Sequence, residues 1–369
     1  MRSSVTMWAY RAVRRLDLAV PLLLGASLFS SNTSAEPYLS VRSGFKCVTC
    51  HTNPSGGGKR NAFGTAYAQT ELAQRLVGQA EDAWTGEINR WFAIGGDLRA
   101  GYDYVDIPNI EARSEFGTSR GTVYADVRVI PGLLSVYLDE QIAPGGAFNR
   151  EAYALLTPAN GKYTIKVGQF FLPFGWRLED DSAFIRQVTG IDFFRPDNGV
   201  EVGLELGPWS AQVAVTNGKA GDSTQQTSFR GAYISSRWQL GASYNFDNAA
   251  LGDRTMSGVF AGLRTGPITW LAEYDYITDE TPTGDLDMVV GLLEANWRLT
   301  KGHNLKVTYE RFDPDDAVAD DEQERFSLVW EYSPMQMLQP RIGVRLYDGM
   351  PGDDPQNRDE FFAELHVFF

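Results

Sequence analysis

Residues 47–51 read CVTCH and hold both cysteines of the 369-residue chain together with one of its three histidines. Two cysteines three positions apart reach the two vinyl groups of a single haem and form thioethers. A histidine directly after them then sits under the iron as proximal ligand. A thioredoxin-type dithiol also reads CxxCH but needs a βαβ context, and neither residues 36–46 before it nor the GGG after it supply one. A zinc site needs a fourth ligand and usually a second cysteine pair, which the sequence lacks. A tight incidental disulfide is the other alternative in an oxidising compartment. The spacing points to one covalently attached haem c, with Cys47 and Cys50 as attachment points and His51 as proximal ligand. Residues 36–90 contain no methionine and no second histidine, so a distal ligand must come from elsewhere or be water. His366 is the first candidate, and His303, Met335 and Met337 come after it.

The segment that carries CVTCH follows an export signal. Arg2, Arg11, Arg14 and Arg15 precede the apolar run LAVPLLLGASLF, and the small residues SNTSA follow, predicting a secretory signal peptide over residues 1–35. Covalent haem attachment requires that export. No later segment approaches the ~20 uninterrupted apolar residues of a membrane helix. Removing residues 1–35 takes four of 33 basic and one of 47 acidic side chains, leaving a net charge of −17. So acidic a chain is not built for nucleic acid and favours cations or basic proteins. Gly56, Gly57 and Gly58 read either as a close backbone approach to a bound group or as a flexible turn. AYAQTELAQRLVGQAEDA, residues 66–83, reads as one helix with Leu72, Leu76 and Val77 on a packing face.

From Trp91 onward the chain alternates with period two. VYADVRV sets Val123, Ala125, Val127 and Val129 against Tyr124, Asp126 and Arg128, and LSVYLDE, YTIKVGQ, SAQVAV, ITWLAEYDY, LLEANWRL, LKVTYERF, FSLVWEY and RIGVRLY repeat the pattern. About sixteen strands are expected, joined alternately by short and long links, as in an outer-membrane barrel with tight periplasmic turns and extended outer loops. The short links are IPG, PANG, LGP, ISSR, RTGP, LTKGHN and YSPMQML. The long ones include IPNIEARSEF, APGGAFN, NGKAGDSTQQT, ITDETPTGD, FDPDDAVADDEQE and YDGMPGDDPQNRD. The apolar face bears Trp270, Tyr274, Tyr276, Trp297, Trp330 and Tyr332, as an interface with lipid requires. The other face bears Asp126, Asp139, Lys166, Glu273, Asp275, Glu294, Lys306, Glu310, Glu331, Arg341 and Arg345, a mixture suited to a water-filled lumen. The final strand, FFAELHVFF, puts Phe361, Ala363, Leu365, Val367 and Phe369 toward lipid and His366 toward the lumen.

The fold expected is therefore all-β: a transmembrane antiparallel barrel over residues 91–369, preceded by a monohaem cytochrome c segment over residues 36–90. An apolar band ~25 Å tall separates the two mouths of such a barrel. A haem left below it would be out of reach of anything outside, so residues 36–90 are expected to plug the lumen. Outer loops rich in Asp313, Asp315, Asp316, Asp320, Asp321, Glu322 and Glu324, with Asp353, Asp354, Asp359 and Glu360, would concentrate cations such as iron(II) or bridge lipopolysaccharide through divalent ions.

Two resemblances add to this reading. AEPYLSVRSGFKCVTCHTNP, through Ala35, Pro37, Arg42, Gly44, Cys47, Cys50, His51 and Pro54, resembles the haem segment of the fused outer-membrane cytochrome–porins associated with iron-oxidising bacteria. The sequence then continues GGGKRNAFGTAYAQ, keeping Phe63-Gly64 with Thr65 after it. The resemblance implies an electron-transfer protein, possessing iron(II) oxidase activity, that takes electrons from extracellular iron(II) or another redox donor and passes them to a periplasmic cytochrome. VGQFFLPFG, at the start of the longest connection (residues 171–199), resembles the porins that include phosphate-selective channels. This implies a third loop folded into the channel. The visible lumen charges form no arginine–lysine ladder. The rival functions are a diffusion porin whose haem segment gates or fills the lumen, and the barrel subunit of a larger multihaem conduit.

Overall fold

A computed structural model describes residues 36–78, 83–158, 161–178, 180–218, 224–249 and 252–369. The expected signal peptide lies outside the described residues. After the short strand β1 (Glu87–Asn89), sixteen antiparallel strands run from β2 (Phe92–Asp106) to β17 (Asp359–Phe368), each paired with its sequence neighbour. The ring closes where β17 pairs with β2, from Asp359 opposite Asp106 to Phe368 opposite Asp97. Closure leaves no unpaired sheet edge, the condition for strands to cross lipid.

The period-two pattern decides which way each side chain points. Trp270, Tyr274, Tyr276 and Trp297 are exposed on the outer wall, as are Val123, Val127, Leu365 and Phe369. Asp126, Asp139, Lys166, Glu273, Glu294, Glu310 and Glu331 are buried on the inner wall. The short links all lie at one end of the barrel. Two of the expected long loops are shorter than their composition suggests. In IPNIEARSEF the strand β3 (Arg113–Ile130) already begins at Arg113. Its Phe116 meets Tyr102 across the ladder at 5.0 Å, a cross-strand aromatic pair that extends the sheet. In ITDETPTGD, β12 (Ile268–Thr281) and β13 (Gly284–Thr300) zip together as far as Thr281 opposite Gly284, which leaves a two-residue tip.

The lumen differs from the water-filled channel expected of its charges. Two segments fill it. One is the N-terminal segment, with helices α1 (Pro37–Ser43), α2 (Cys47–Cys50) and α3 (Ala62–Tyr67) followed by a π-helical turn over Ala68–Leu72. The other is the connection 171–196, which folds inward and carries α4 (Phe184–Thr189). Tyr38 and Val41 of α1 pack with Phe174, Trp176, Leu178 and Phe184 of that connection, and both pack on Met256, Phe260, Leu271 and Val290 of the inner wall. Apolar residues on both faces of MSGVFAGL and LDMVVGLL signal in the sequence that this part of the wall is covered from inside.

The expected helix over residues 66–83 ends early, at Leu72. Beyond it the backbone turns to the barrel rim, where Gln74 N–H donates to the Ser333 carbonyl at 2.6 Å and Arg75 N–H to the Pro334 carbonyl at 3.1 Å. Those bonds replace the helical ones that would have continued the turn. Leu72 is buried as expected, Val77 is exposed, and residues 79–82 lie outside the described residues.

Candidate functional site

The N-terminal segment is bonded to the barrel from its short-turn rim into the lumen. At the rim, Arg42 donates to the Pro267 carbonyl at 3.1 Å, and Lys46 donates to the Trp209 carbonyl and pairs with Glu205, both at 2.7 Å. Deeper, Glu36 pairs with Lys306 at 3.1 Å. Asn53 donates to both oxygens of Glu151, and Ser55 donates to Glu201 at 3.0 Å while accepting from Lys166 at 2.6 Å. Lys59 N–H donates to the Tyr137 hydroxyl at 2.9 Å. The wall side of these contacts is dry: Lys166 is 0 % exposed and Glu201 1 %. Burying such groups costs several kcal/mol per ion unless each is paired: Lys166 and Glu201 pair with each other at 2.8 Å, and the segment adds Ser55 between them, Asn53 to Glu151 and Glu36 to Lys306.

Within the segment, CVTCH forms a single helical turn. His51 N–H donates to the Cys47 carbonyl at 3.0 Å, and the two cysteines are half-buried and unbonded to each other. Asn61 staples the turn in place. Its side-chain amide donates to the carbonyls of Val48, Thr49 and His51, and its Oδ1 accepts from Gly64 N–H at 2.9 Å. Gly64 is needed by close approach, because a Cβ there would overlap the Cys50 carbonyl. His51 is buried and its strand-like backbone pairs with Arg60. Burial pushes the Cys50 thiol up to about 11, against the pull of Arg60. Burial also raises the Cys47 thiol, while Arg230 and Arg177 pull it down and Glu205 adds to the rise.

The residues present fit a covalently held haem in their donor chemistry. Both thiols are unbonded on one helical turn, and the following residue is a histidine. In the same segment, Phe63, 48 % exposed, forms an aromatic group with Phe45 (5.6 Å) and Tyr67 (6.2 Å). Gly56 packs on Cys47, Gly57 on the Phe193 ring and Gly58 on the Tyr137 hydroxyl, so the glycine run closely approaches side chains of the chain itself.

His366 faces the lumen, as the alternation requires, and is fully buried. Its Nε2 lies 2.6 Å from Asp97 Oδ2 and its Nδ1 3.2 Å from Gln339 Oε1, so both ring nitrogens have partners. It approaches the plug indirectly: the Arg60 guanidinium lies 4.1 Å over the Phe368 ring, which is 5.1 Å from His366. His303 stacks on Tyr332 at 4.1 Å and on Trp330 at 5.8 Å at the rim, and Met335 and Met337 lie in the adjoining turn. Of the candidate ligands, only Cys47, Cys50 and His51 are brought together on one turn.

The inward connection crosses the lumen and is held on its far side. Ser228 donates to the Pro173 carbonyl at 2.8 Å, and Glu273 accepts from Trp176 N–H at 2.6 Å. Arg325 of β15 (Gln323–Tyr332), 1 % exposed, pairs with Glu310 and with Asp180 and donates to the Ser182 carbonyl at 2.9 Å. Burial pushes the Asp180 carboxyl up, but Arg345 and Arg325 outweigh it and hold it below the usual carboxylate range.

The structure also assembles a basic cluster that the sequence does not display. The guanidiniums of Arg120, Arg150, Arg177 and Arg186 all lie within 4.2–5.6 Å of the Phe193 ring. They come from three separate stretches of chain, so no run or period reveals them. The acidic outer loops are partly self-paired, Glu322 with Arg311 and Glu360 with Arg345 and Arg358. Among the described residues, no group of three or more His, Cys, Asp or Glu is placed to hold a metal ion.

No protein-family profile matches the chain, and no curated protein does either. Solved structures match clearly. The anion-selective porin from Comamonas acidovorans superposes with a TM-score of 0.61 at 13 % identity, over 75 % of this chain and 99 % of its own. OprB of Pseudomonas putida gives 0.63 at 9 % identity, over 81 % and 99 %, and in-vitro folded OmpT of Vibrio cholerae gives 0.59 at 12 %, over 77 % and 99 %. At these identities the likeness establishes the fold: a porin-like outer-membrane β-barrel of sixteen strands.

Proposed function

We propose that this chain is a plugged outer-membrane barrel that carries one haem c and moves electrons across the outer membrane. Cys47 and Cys50 hold the haem covalently, His51 is its proximal ligand, and the haem supplies one-electron chemistry. The donor is extracellular iron(II) or another small reductant, and the acceptor is a periplasmic cytochrome. One observation carries the reading: the CVTCH turn belongs to a segment bonded to the inner wall of a barrel whose interior is filled. A buried lumen has little use as a diffusion path, whereas a redox group inside it shortens the distance to both mouths. The chain's own residues position that group through Asn61 and Gly64, and exclude water through the inward connection. His366 serves as distal ligand only if it gives up Asp97.

The porin-like fold favours a second reading, a diffusion porin whose haem segment fills or gates the lumen. One preparation separates the two. On a denaturing gel, the wild type should stain for covalent haem and Cys47→Ala/Cys50→Ala should not. In planar bilayers the intact protein should conduct poorly. Steady conductance of porin size would favour the second reading, and an unstained wild type would remove the haem from both.

A further inference from the structure

The short-turn rim carries the opposite charge to the acidic outer loops. Arg237 lies just before β10 (Trp238–Asp247), Arg264 at the rim end of β11 (Arg254–Thr265) and Arg298 at the rim end of β13. Backbone bonds tie these neighbouring turns together: Arg264 N–H donates to the Arg237 carbonyl at 2.7 Å and Arg298 N–H to the Pro267 carbonyl at 3.1 Å. The plug adds Arg42, whose Nη1 donates to that same Pro267 carbonyl at 3.1 Å. Arg264 reaches back through Nη1 to the Arg42 carbonyl at 3.0 Å, and Arg298 through Nη2 to the Glu71 carbonyl at 2.7 Å. Four arginines therefore form one arc over the plugged mouth, and Lys301, in the turn after Arg298, extends it. Arg237, Arg264 and Lys301 are exposed, and Arg42 and Arg298 are half-buried. Among the described residues, Arg42, Arg264 and Arg298 bond to backbone carbonyls and to no carboxylate. Glu205, an acidic side chain of the same rim, is already paired with Lys46.

The arc faces the mouth and not the lipid. Arg264 shares the inward register of Met256 and Phe260, Arg298 that of Glu294, and Arg237 that of Gln239, all buried, while Trp238, Leu263 and Trp297 are exposed on the lipid side. An open cleft lined by Arg42, Arg298, Leu39, Leu72 and His303 separates plug from wall here. The arc also lies beside the haem turn of the plug. Gly44, at the end of α1, packs on the turn that carries Arg237, since a Cβ there would lie 2.8 Å from the Ser236 Cα, and Cys47 follows three residues later. Guanidiniums held side by side without counter-charge repel one another and draw a surface rich in carboxylates, which their planar forks match. We propose that this arc docks an acidic soluble electron carrier, one whose exposed redox edge is ringed by carboxylates. This rests on the electron-path reading and adds to it the place and the charge of the inner acceptor. The acidic outer loops repel such a carrier, so the two mouths sort their partners by charge. Anionic lipid headgroups would also suit guanidiniums, but the inward register turns these away from the lipid and toward the aqueous mouth.

The probe is soluble cytochrome c with its lysines succinylated, which keeps the haem and reverses the surface charge. Wild-type protein in phosphatidylcholine nanodiscs should bind it in low salt and release it in high salt. Arg237→Glu/Lys301→Glu, which leaves every bond between the arc and the plug in place, should weaken that binding about tenfold or more. Arg113→Glu/Arg311→Glu, at the outer end of the barrel, changes the net charge equally and should bind as the wild type does. Each variant is first shown to migrate as a folded barrel on an unheated gel. No binding of the succinylated probe, or equal loss in the two variants, overturns the dock. Phosphatidylglycerol that stays with the purified wild type and is lost from Arg264→Gln/Arg298→Gln would assign the arginines to lipid and also overturn it. Cys47→Ala/Cys50→Ala, which has no thiols to hold a haem, should bind the probe as tightly as the wild type. A haem-staining wild type that does not bind removes the dock and leaves the electron path. Binding by a wild type that does not stain for haem removes the electron path, and with it the carrier as the partner.

Discussion

Deleting residues 36–78 is expected to turn a nearly non-conducting barrel into an open channel, raising single-channel conductance by about tenfold or more. The plug seals the short-turn rim through Arg42, Lys46, Gln74 and Arg75 and reaches inward through Glu36, Asn53 and Ser55. Without it, Glu151 loses Asn53, Lys306 loses Glu36, and Lys166 and Glu201 lose the Ser55 hydroxyl between them and keep only each other, so water must enter to solvate the uncovered polar atoms. Sixteen-stranded barrels are wide enough for an aqueous lumen once nothing fills them. The inward connection would remain, so the opened channel should be narrower than that of a porin with an empty eyelet. The check is a planar-bilayer recording of the two proteins side by side. Unchanged low conductance after the deletion would mean that the connection alone closes the lumen.

The second large effect is expected at Arg325. This side chain is almost wholly buried and reaches Glu310, Asp180, the Ser182 carbonyl and hydroxyl, and the Tyr347 hydroxyl. Arg325→Met keeps the bulk and removes the charge, leaving Glu310 with no cation in contact. Breaking a buried pair from one side costs roughly 3–5 kcal/mol. Here the result should fall toward the lower end, since a released connection lets water reach Glu310. A urea titration of the folded barrel, followed by the unheated-gel band, measures the loss. Protease cutting within residues 180–190 measures the release. The same geometry fixes a pH expectation. Asp180 is held below the usual carboxylate value of about 3.9 by Arg345 and Arg325 despite its burial. A depressed carboxyl contributes its stability above the unfolded value and loses it only as pH falls through the lower, folded value. The connection should therefore stay latched between pH 8 and 5.

Strand positions and facing were legible because period two is a local property. Trp270, Tyr274 and Trp297 mark one side of their strands whatever lies elsewhere in the chain. CVTCH was legible for the same reason, being five consecutive residues. What covers the inner wall was not. Asn53 meets Glu151, Ser55 meets Glu201 and Glu36 meets Lys306 across stretches of 98, 146 and 270 residues, and no periodicity encodes such pairs. Charges that looked too costly for a dry interior are tolerated because ion pairs such as Lys166–Glu201 and Glu36–Lys306 neutralise them and distant donors such as Asn53 and Ser55 satisfy their remaining oxygens. The one available signal lay in MSGVFAGL and LDMVVGLL, where apolar residues on both faces leave no side for water. The helix expected to run on past Leu72 shows the opposite limit. Its local pattern is helical, but the carbonyls of Ser333 and Pro334 take its N–H groups. The arginines around Phe193 likewise become a cluster only after folding.

The most direct test of an electron path through this barrel is a flux measurement across a sealed bilayer. Haem-loaded protein is reconstituted into liposomes that contain an oxidised soluble cytochrome c, its orientation is checked by protease cleavage of the outer loops, and iron(II) is added outside under anaerobic conditions. The account predicts reduction of the protein's own haem followed by that of the enclosed cytochrome, and neither in Cys47→Ala/Cys50→Ala liposomes. A wild-type haem that a permeant reductant reduces but external iron(II) does not would contradict iron(II) as donor. An enclosed cytochrome reduced equally fast with the cysteine variant would show iron leaking through an open pore, and would contradict the account itself.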